Sequence, residues 1–133
     1  MAFVRQRGKK DCGVAALAML CDVTYEEAEK AIPWRRHGCA FGTDTKMLRE
    51  GAIKLGYSTE STPQNRLKRI SLPLWFRIPY NSLVKIPIDG MQNAWHWVVW
   101  RNDRIYDPAR GVFRPRNYGN HYPTSYMQFI KEE

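Results

Sequence analysis

The run "CGVAALAMLC", from Cys12 to Cys21, constrains this chain more than any other stretch. Val14, Ala15, Leu17, Ala18, Met19 and Leu20 put apolar groups on nearly every face of a helix, and Asp11 and Asp22 bracket them. A helix with no polar face must be buried on several sides, so the rest of the fold has to be wrapped around it. Its alanines let neighbouring elements approach closely. The run is too short to span a bilayer, which takes roughly 18 or more apolar residues. Asp11 is the expected N-cap. Cys12 is the member that asks for an explanation. A structural thiol belongs inside the run, as Cys21 does, whereas Cys12 stands at its mouth.

The other elements follow from capping and breaker residues. "TYEEAEKAI" carries the Thr24–Glu27 spacing of a capping box, and Pro33 stops that second helix. A third helix is expected from Asp44 to Leu55, with Gly56 as its C-terminal cap and Met47, Leu48, Ile53 and Leu55 as its apolar contacts. Beyond Gly56, Pro63, Pro73, Pro79 and Pro87 exclude long helices. "SLPLWFRI" and "SLVKIPI" read as short strands, "WHWVVW" as the strongest strand, "RND" as a turn and "RIYD" as the return strand. The tail, "NYGNHYPTSYMQFIKEE", is expected to be a loop followed by a short closing helix. Helices precede strands, which predicts an α+β fold. The buried central helix packs on a C-terminal antiparallel sheet. A length of 133 residues predicts one domain, 1–133.

Four residues then form a candidate constellation. Cys12 opens the buried helix, where unpaired N–H groups and the positive end of the helix dipole favour a thiolate. His96 lies in the strongest strand and is the candidate base. Asp107 ends the return strand in "YDPARG", from which an acid can reach a histidine on the neighbouring strand and set its tautomer. Gln6 stands six residues before Cys12, able to direct its amide toward an oxyanion beside the Cys12 backbone N–H. The chemistry of this set is acyl transfer from a carbonyl carbon to sulfur and then to water.

The same residues carry a family resemblance. "Q-x5-C-G" entering an apolar helix, then "HWVV", then "DPARG", resembles the papain-like peptidases that process double-glycine leader peptides. The similarity runs from Gln6 to Gly111 and includes "TYEEAEKAI" and "GTDTKMLREGAIKLGY". The resemblance implies a papain-like cysteine peptidase fold and a peptide or protein substrate cut at a peptide or isopeptide bond. The family's members usually occur as the N-terminal domain of peptide exporters, and this chain departs from them in being expected as a standalone domain. The resemblance also implies Cys12 as nucleophile, His96 as base, Asp107 as orienting acid and Gln6 as oxyanion donor. Trp95, Trp97 and Gly13, beside these residues, are candidates to line the substrate cleft.

Two rival functions come from the same sequence. A thiolate and an imidazole also support deamidation or acyl transfer to an amine. The formal charge of +8 admits a non-enzymatic nucleic-acid module, with the tryptophans as a stacking platform and Arg101, Arg104, Arg110 and Arg114 on phosphates. The basic residues are scattered, however, and form no single helical stripe. No cofactor is expected. His37 and Cys39 lack the paired spacing of a zinc site, so no metal is expected either. His121 is an alternative base on the tail. Three cysteines without a disulfide framework, and an N-terminus without the apolar core of a secretion signal, predict reduced thiols in the cytoplasm.

Overall fold

A computed structural model describes residues 2–33, 42–61, 72–87, 95–119 and 123–132. His37, Cys39 and His121 lie outside the described residues. Helix α1 spans Cys12–Cys21, and all its side chains are buried. Asp11 does not cap it through its side chain. The carboxylate turns backwards, accepting from the Arg7 and Gly8 N–H groups at 2.6 and 2.7 Å and from the Tyr25 hydroxyl at 2.8 Å. Asp11 therefore folds the segment that carries Gln6, which is a stronger use of a carboxylate than one helix cap. At the other end Asp22 adopts a left-handed conformation (φ 53°), and its N–H returns to the Ala18 carbonyl.

Helix α2, Tyr25–Ala31, starts at the expected capping box: Glu27 N–H donates to Thr24 Oγ1 at 3.0 Å, and Thr24 N–H to Glu27 Oε1 at 3.1 Å. Helix α3, Thr45–Lys54, is capped by Asp44, whose carboxylate accepts from Met47 N–H at 2.7 Å. Gly56 follows with φ +91°, the conformation that a helix stop needs and that glycine adopts without strain.

Among the described residues, six strands form one antiparallel sheet: β1 (Tyr57–Ser61), β2 (Ser82–Pro87), β3 (Trp95–Arg101), β4 (Arg104–Asp107), β5 (Gly111–Phe113) and β6 (Ser125–Lys131), in the order β1-β6-β2-β3-β4-β5. The β3–β4 hairpin turns at Asn102 and Asp103, both left-handed (φ 53° and 58°), as two-residue hairpin turns require.

Two expected elements are overturned. The tail is not a helix but β6, inserted between β1 and β2. Met127 and Phe129 alternate with more exposed neighbours there and enter the core, so a period of two prevails. "SLPLWFRI" is not a strand but contains a 3-10 helix, Leu72–Arg77. Pro73 and Pro79 remove ladder donors, and the Ile78 carbonyl accepts the buried Trp100 indole N–H at 3.0 Å instead of a strand partner. Strands β1 and β5, unassigned from sequence, are the two sheet edges.

The sheet has a core on each face. Helix α1 packs on the face bearing Leu83, Trp97, Val99, Met127 and Phe129. The opposite face holds Val84, Ile86, Val98, Trp100 and Ile105, covered by Trp75, Ile78 and Tyr118. By alternation His96 shares this second face with Val98 and Trp100. The thiol and the imidazole thus start from elements belonging to opposite sides of the sheet.

Candidate active site

The sheet itself opens to let the two meet. Strand β4 pairs with β3 only from Val99 to Arg101, so the first half of β3 has no strand on that side. The backbone N–H of Trp97 points into the gap, where the Cys12 sulfur accepts it at 3.4 Å. This donor stabilises negative charge on sulfur from a direction independent of the helix dipole.

His96 is hydrogen-bonded on both sides. Its Nε2 lies 2.7 Å from Asp107 Oδ1, and its side chain is also hydrogen-bonded to Cys12. With Nε2 engaged by the acid, Nδ1 is the nitrogen left for the thiol. Burial disfavours the imidazolium, yet the hydrogen bonds to Asp107 and Cys12, with the attraction of both groups when ionised, prevail and push His96 up to about 9. The His96 side chain keeps 21% of its surface exposed against 1% for Asp107, so solvent reaches the imidazole but not the acid behind it.

Asp107 is fixed from three directions. Oδ1 also accepts the Ala109 N–H at 2.9 Å, and Oδ2 accepts the hydroxyl of Tyr118. Burial works against its charge, but these bonds and the neighbouring imidazolium hold it below the ordinary carboxylate range. Tyr118 was not found from sequence. It lies eleven residues beyond Asp107 in a loop-rich tail and reaches the acid only because the 3-10 helix Pro115–Asn117 turns the chain back under the sheet. Trp75 and Phe113 then hold its ring, with centroids at 6.1 and 5.3 Å. Tyr118→Phe is expected to cost about 1.5–3 kcal/mol of stability, the usual worth of a buried hydrogen bond to a charge. It should also move the Asp107 titration upward, read by carboxyl-carbon NMR against pH.

Gln6 is placed beside the acid's loop, its N–H donating to the Pro108 carbonyl at 3.0 Å. Its Nε2 donates to the Gly8 carbonyl at 2.8 Å, while Oε1 is buried without a partner among the described residues.

Two of the expected cleft residues are packing residues. Trp97 is 3% exposed, and its indole N–H donates to the Thr43 carbonyl at 2.9 Å. Gly13 lies against the same group: a Cβ there would collide with Thr43 Oγ1 and meet Trp97 Cδ1 at 3.1 Å. Glycine is needed so that α1 can approach β3 closely enough to deliver Cys12. Trp95 is half-buried, with the Lys85 ammonium 4.7 Å from its ring. Burial of Trp97 and Trp100 also removes them from any base-stacking platform. Cys21 is buried, and burial followed by the nearby Asp22 charge pushes its thiol up to about 12, the state of an inert core cysteine.

Among the described residues, three helices thus cover one face of an antiparallel sheet, with a thiol, an imidazole and a carboxylate in contact where the sheet parts. The same fold occurs in solved peptidase domains. The peptidase domain of Streptococcus ComA, a bifunctional ABC transporter involved in a quorum-sensing pathway, matches with a TM-score of 0.65 at 18% identity, over 97% of both chains. The peptidase domain of Streptococcus mutans ComA matches with a TM-score of 0.59 at 20% identity, over 98% of this chain and 99% of that one. A double-glycine-motif protease from an AMS/PCAT transporter, solved with its leader peptide, matches with a TM-score of 0.59 at 16% identity, over 98% and 91%. By sequence alone, no family model and no curated relative matches. Among the described residues no helix is long and apolar enough to cross a membrane.

Proposed function

We propose that this chain is a papain-like cysteine peptidase acting on a peptide or protein. The observation that carries the reading is the His96 imidazole held between Cys12 and the buried Asp107, with Nε2 2.7 Å from the acid. In this mechanism Nδ1 of His96 takes the Cys12 proton and the sulfur attacks the scissile carbonyl carbon. The C–N bond breaks as the imidazolium returns that proton to the leaving amine. Water, deprotonated by His96, then attacks the thioester and releases the acid and the free thiol. Asp107 sets the tautomer and stabilises the imidazolium without taking its proton. The Cys12 N–H, in the first helical turn, has no acceptor within the helix and faces the developing oxyanion. Gln6 supplies the second donor: an amide has two N–H groups, so one reaches the oxyanion while the other stays on Gly8.

A synthetic peptide bearing a double-glycine leader, of the kind bound by the AMS/PCAT protease, is the first substrate to try. Mass spectrometry is expected to find a backbone cut with the wild type and none with Cys12→Ala. Iodoacetamide should label Cys12 well before Cys21. Equal, slow labelling of both thiols would overturn the reading. A gain of about one mass unit or an amine cross-link would move it to the deamidase or acyl-transferase rival.

A further inference from the structure

A cleft of about 410 Å³ lies away from the candidate active site, lined by Phe76, Asp103, Arg104, Arg114, Pro115 and Arg116. It opens at the turn end of the β3–β4 hairpin, whereas His96 and Asp107 stand at the other end. Arg104 and Asp107, three residues apart on β4, are separated by about 10 Å of strand. The proposed peptidase chemistry uses none of these lining residues.

Their chemistry is specific. Among the described residues, none of Arg104, Arg114 and Arg116 makes an ion pair. The single acid in the lining, Asp103, already accepts the Tyr80 hydroxyl. Three arginines line one small space against a single acid, and a multiply charged anion there would answer the surplus of positive charge. The basic residues lining it are all arginine, whose planar fork matches the oxygens of phosphate in pairs. Beside them the Phe76 ring is 57% exposed, an unusual exposure for a phenyl group. It is nonetheless held, edge-to-face on the buried Trp100 with centroids 5.5 Å apart. The volume lies within the roughly 300–1,000 Å³ typical of small-molecule sites.

We propose that this cleft binds a nucleoside phosphate, its base against Phe76 and its phosphates on Arg104, Arg114 and Arg116. A single carboxylate offers too little charge for three arginines, and inorganic phosphate leaves the exposed ring unused. The site is independent of the thiol chemistry.

The test is calorimetric titration of the full chain with ADP, with adenosine and pyrophosphate as half-ligands. ADP is expected to bind at one saturable site, more tightly than either half-ligand. Arg114→Ala and Arg116→Ala should each weaken it by about tenfold, the cost of a lost charge-assisted contact. Both residues are exposed, so folding should be unaffected, and the charge-preserving Arg114→Lys should lose less. Phe76→Ala should bring ADP down to the affinity of pyrophosphate. ADP binding should persist in Cys12→Ala, which separates this site from the proposed peptidase. No saturable ADP binding, or an affinity unchanged by these substitutions, would overturn the proposal. So would a single-stranded oligonucleotide that binds independently of Phe76 while ADP does not bind, since the charge would then act as a diffuse basic surface.

Discussion

Replacing His96 with alanine is expected to slow alkylation of Cys12 to the rate of the core thiol Cys21, and to lower peptide cleavage by about 10²–10⁴-fold, the usual contribution of a positioned acid–base. The reason lies in what remains around the sulfur. Cys12 would keep the Trp97 N–H at 3.4 Å and the helix N-terminus, both of which favour negative charge on sulfur. Among the described residues, it would lose the group in contact that can accept its proton. Helix and strand donors stabilise a thiolate once formed; neither removes the proton nor returns one to a leaving amine. Thiol mapping by mass spectrometry after brief iodoacetamide treatment gives the first readout without any substrate. Undiminished selectivity for Cys12 in this variant would mean that the backbone donors alone activate the thiol, and His96 would lose its assigned role.

The second large effect is expected for Asp107→Asn. Cleavage should fall by about 10²–10⁴-fold, because the amide neither stabilises an imidazolium nor enforces the tautomer that leaves Nδ1 facing sulfur. The pH profile should change with it. In the wild type His96 is raised to about 9, so the proton needed by the leaving amine is lost only near that pH. Without the Asp107 charge the basic limb should move down toward the ordinary histidine value of 6.5. Stability follows the same sign. A folded-state value above the unfolded one contributes stability that is complete below about pH 6.5 and is lost as pH rises through about 9. The wild-type melting temperature should therefore fall across that interval, and the variant's should be flatter. The Asp107 carboxylate, shifted the other way, stabilises above its ordinary value of 3.8 and loses that contribution as pH falls below it. An unchanged basic limb in Asp107→Asn would show that another group sets the histidine.

Much of this was legible in the residues themselves. A run apolar on every side had to become a buried helix, and Cys12 to Cys21 has no exposed side chain. Thr24 with Glu27, and Gly56, are local signals whose physics acts within one turn, and each did what its spacing predicts. The pairing of His96 with Asp107 across the hairpin was also readable, since neighbouring strands bring such residues together at short sequence separation. Other features needed the whole molecule. Nothing local in "SYMQFIK" says that it fills the slot between β1 and β2, because that slot exists only when two distant strands leave it open. Asp11 reads as a cap until Tyr25 and the Arg7–Gly8 backbone compete for its oxygens. Gly13 and Trp97 read as cleft residues until Thr43 arrives between them. Sequence alone named the groups proposed to carry the chemistry, because the capacity to act as nucleophile, base or acid is a property of residue type. Tertiary structure alone decided that they meet. Helix α1 and His96 belong to opposite faces of the sheet, and only the parting of β4 from β3, with Tyr118 folded back under Asp107, brings sulfur, imidazole and carboxylate into line.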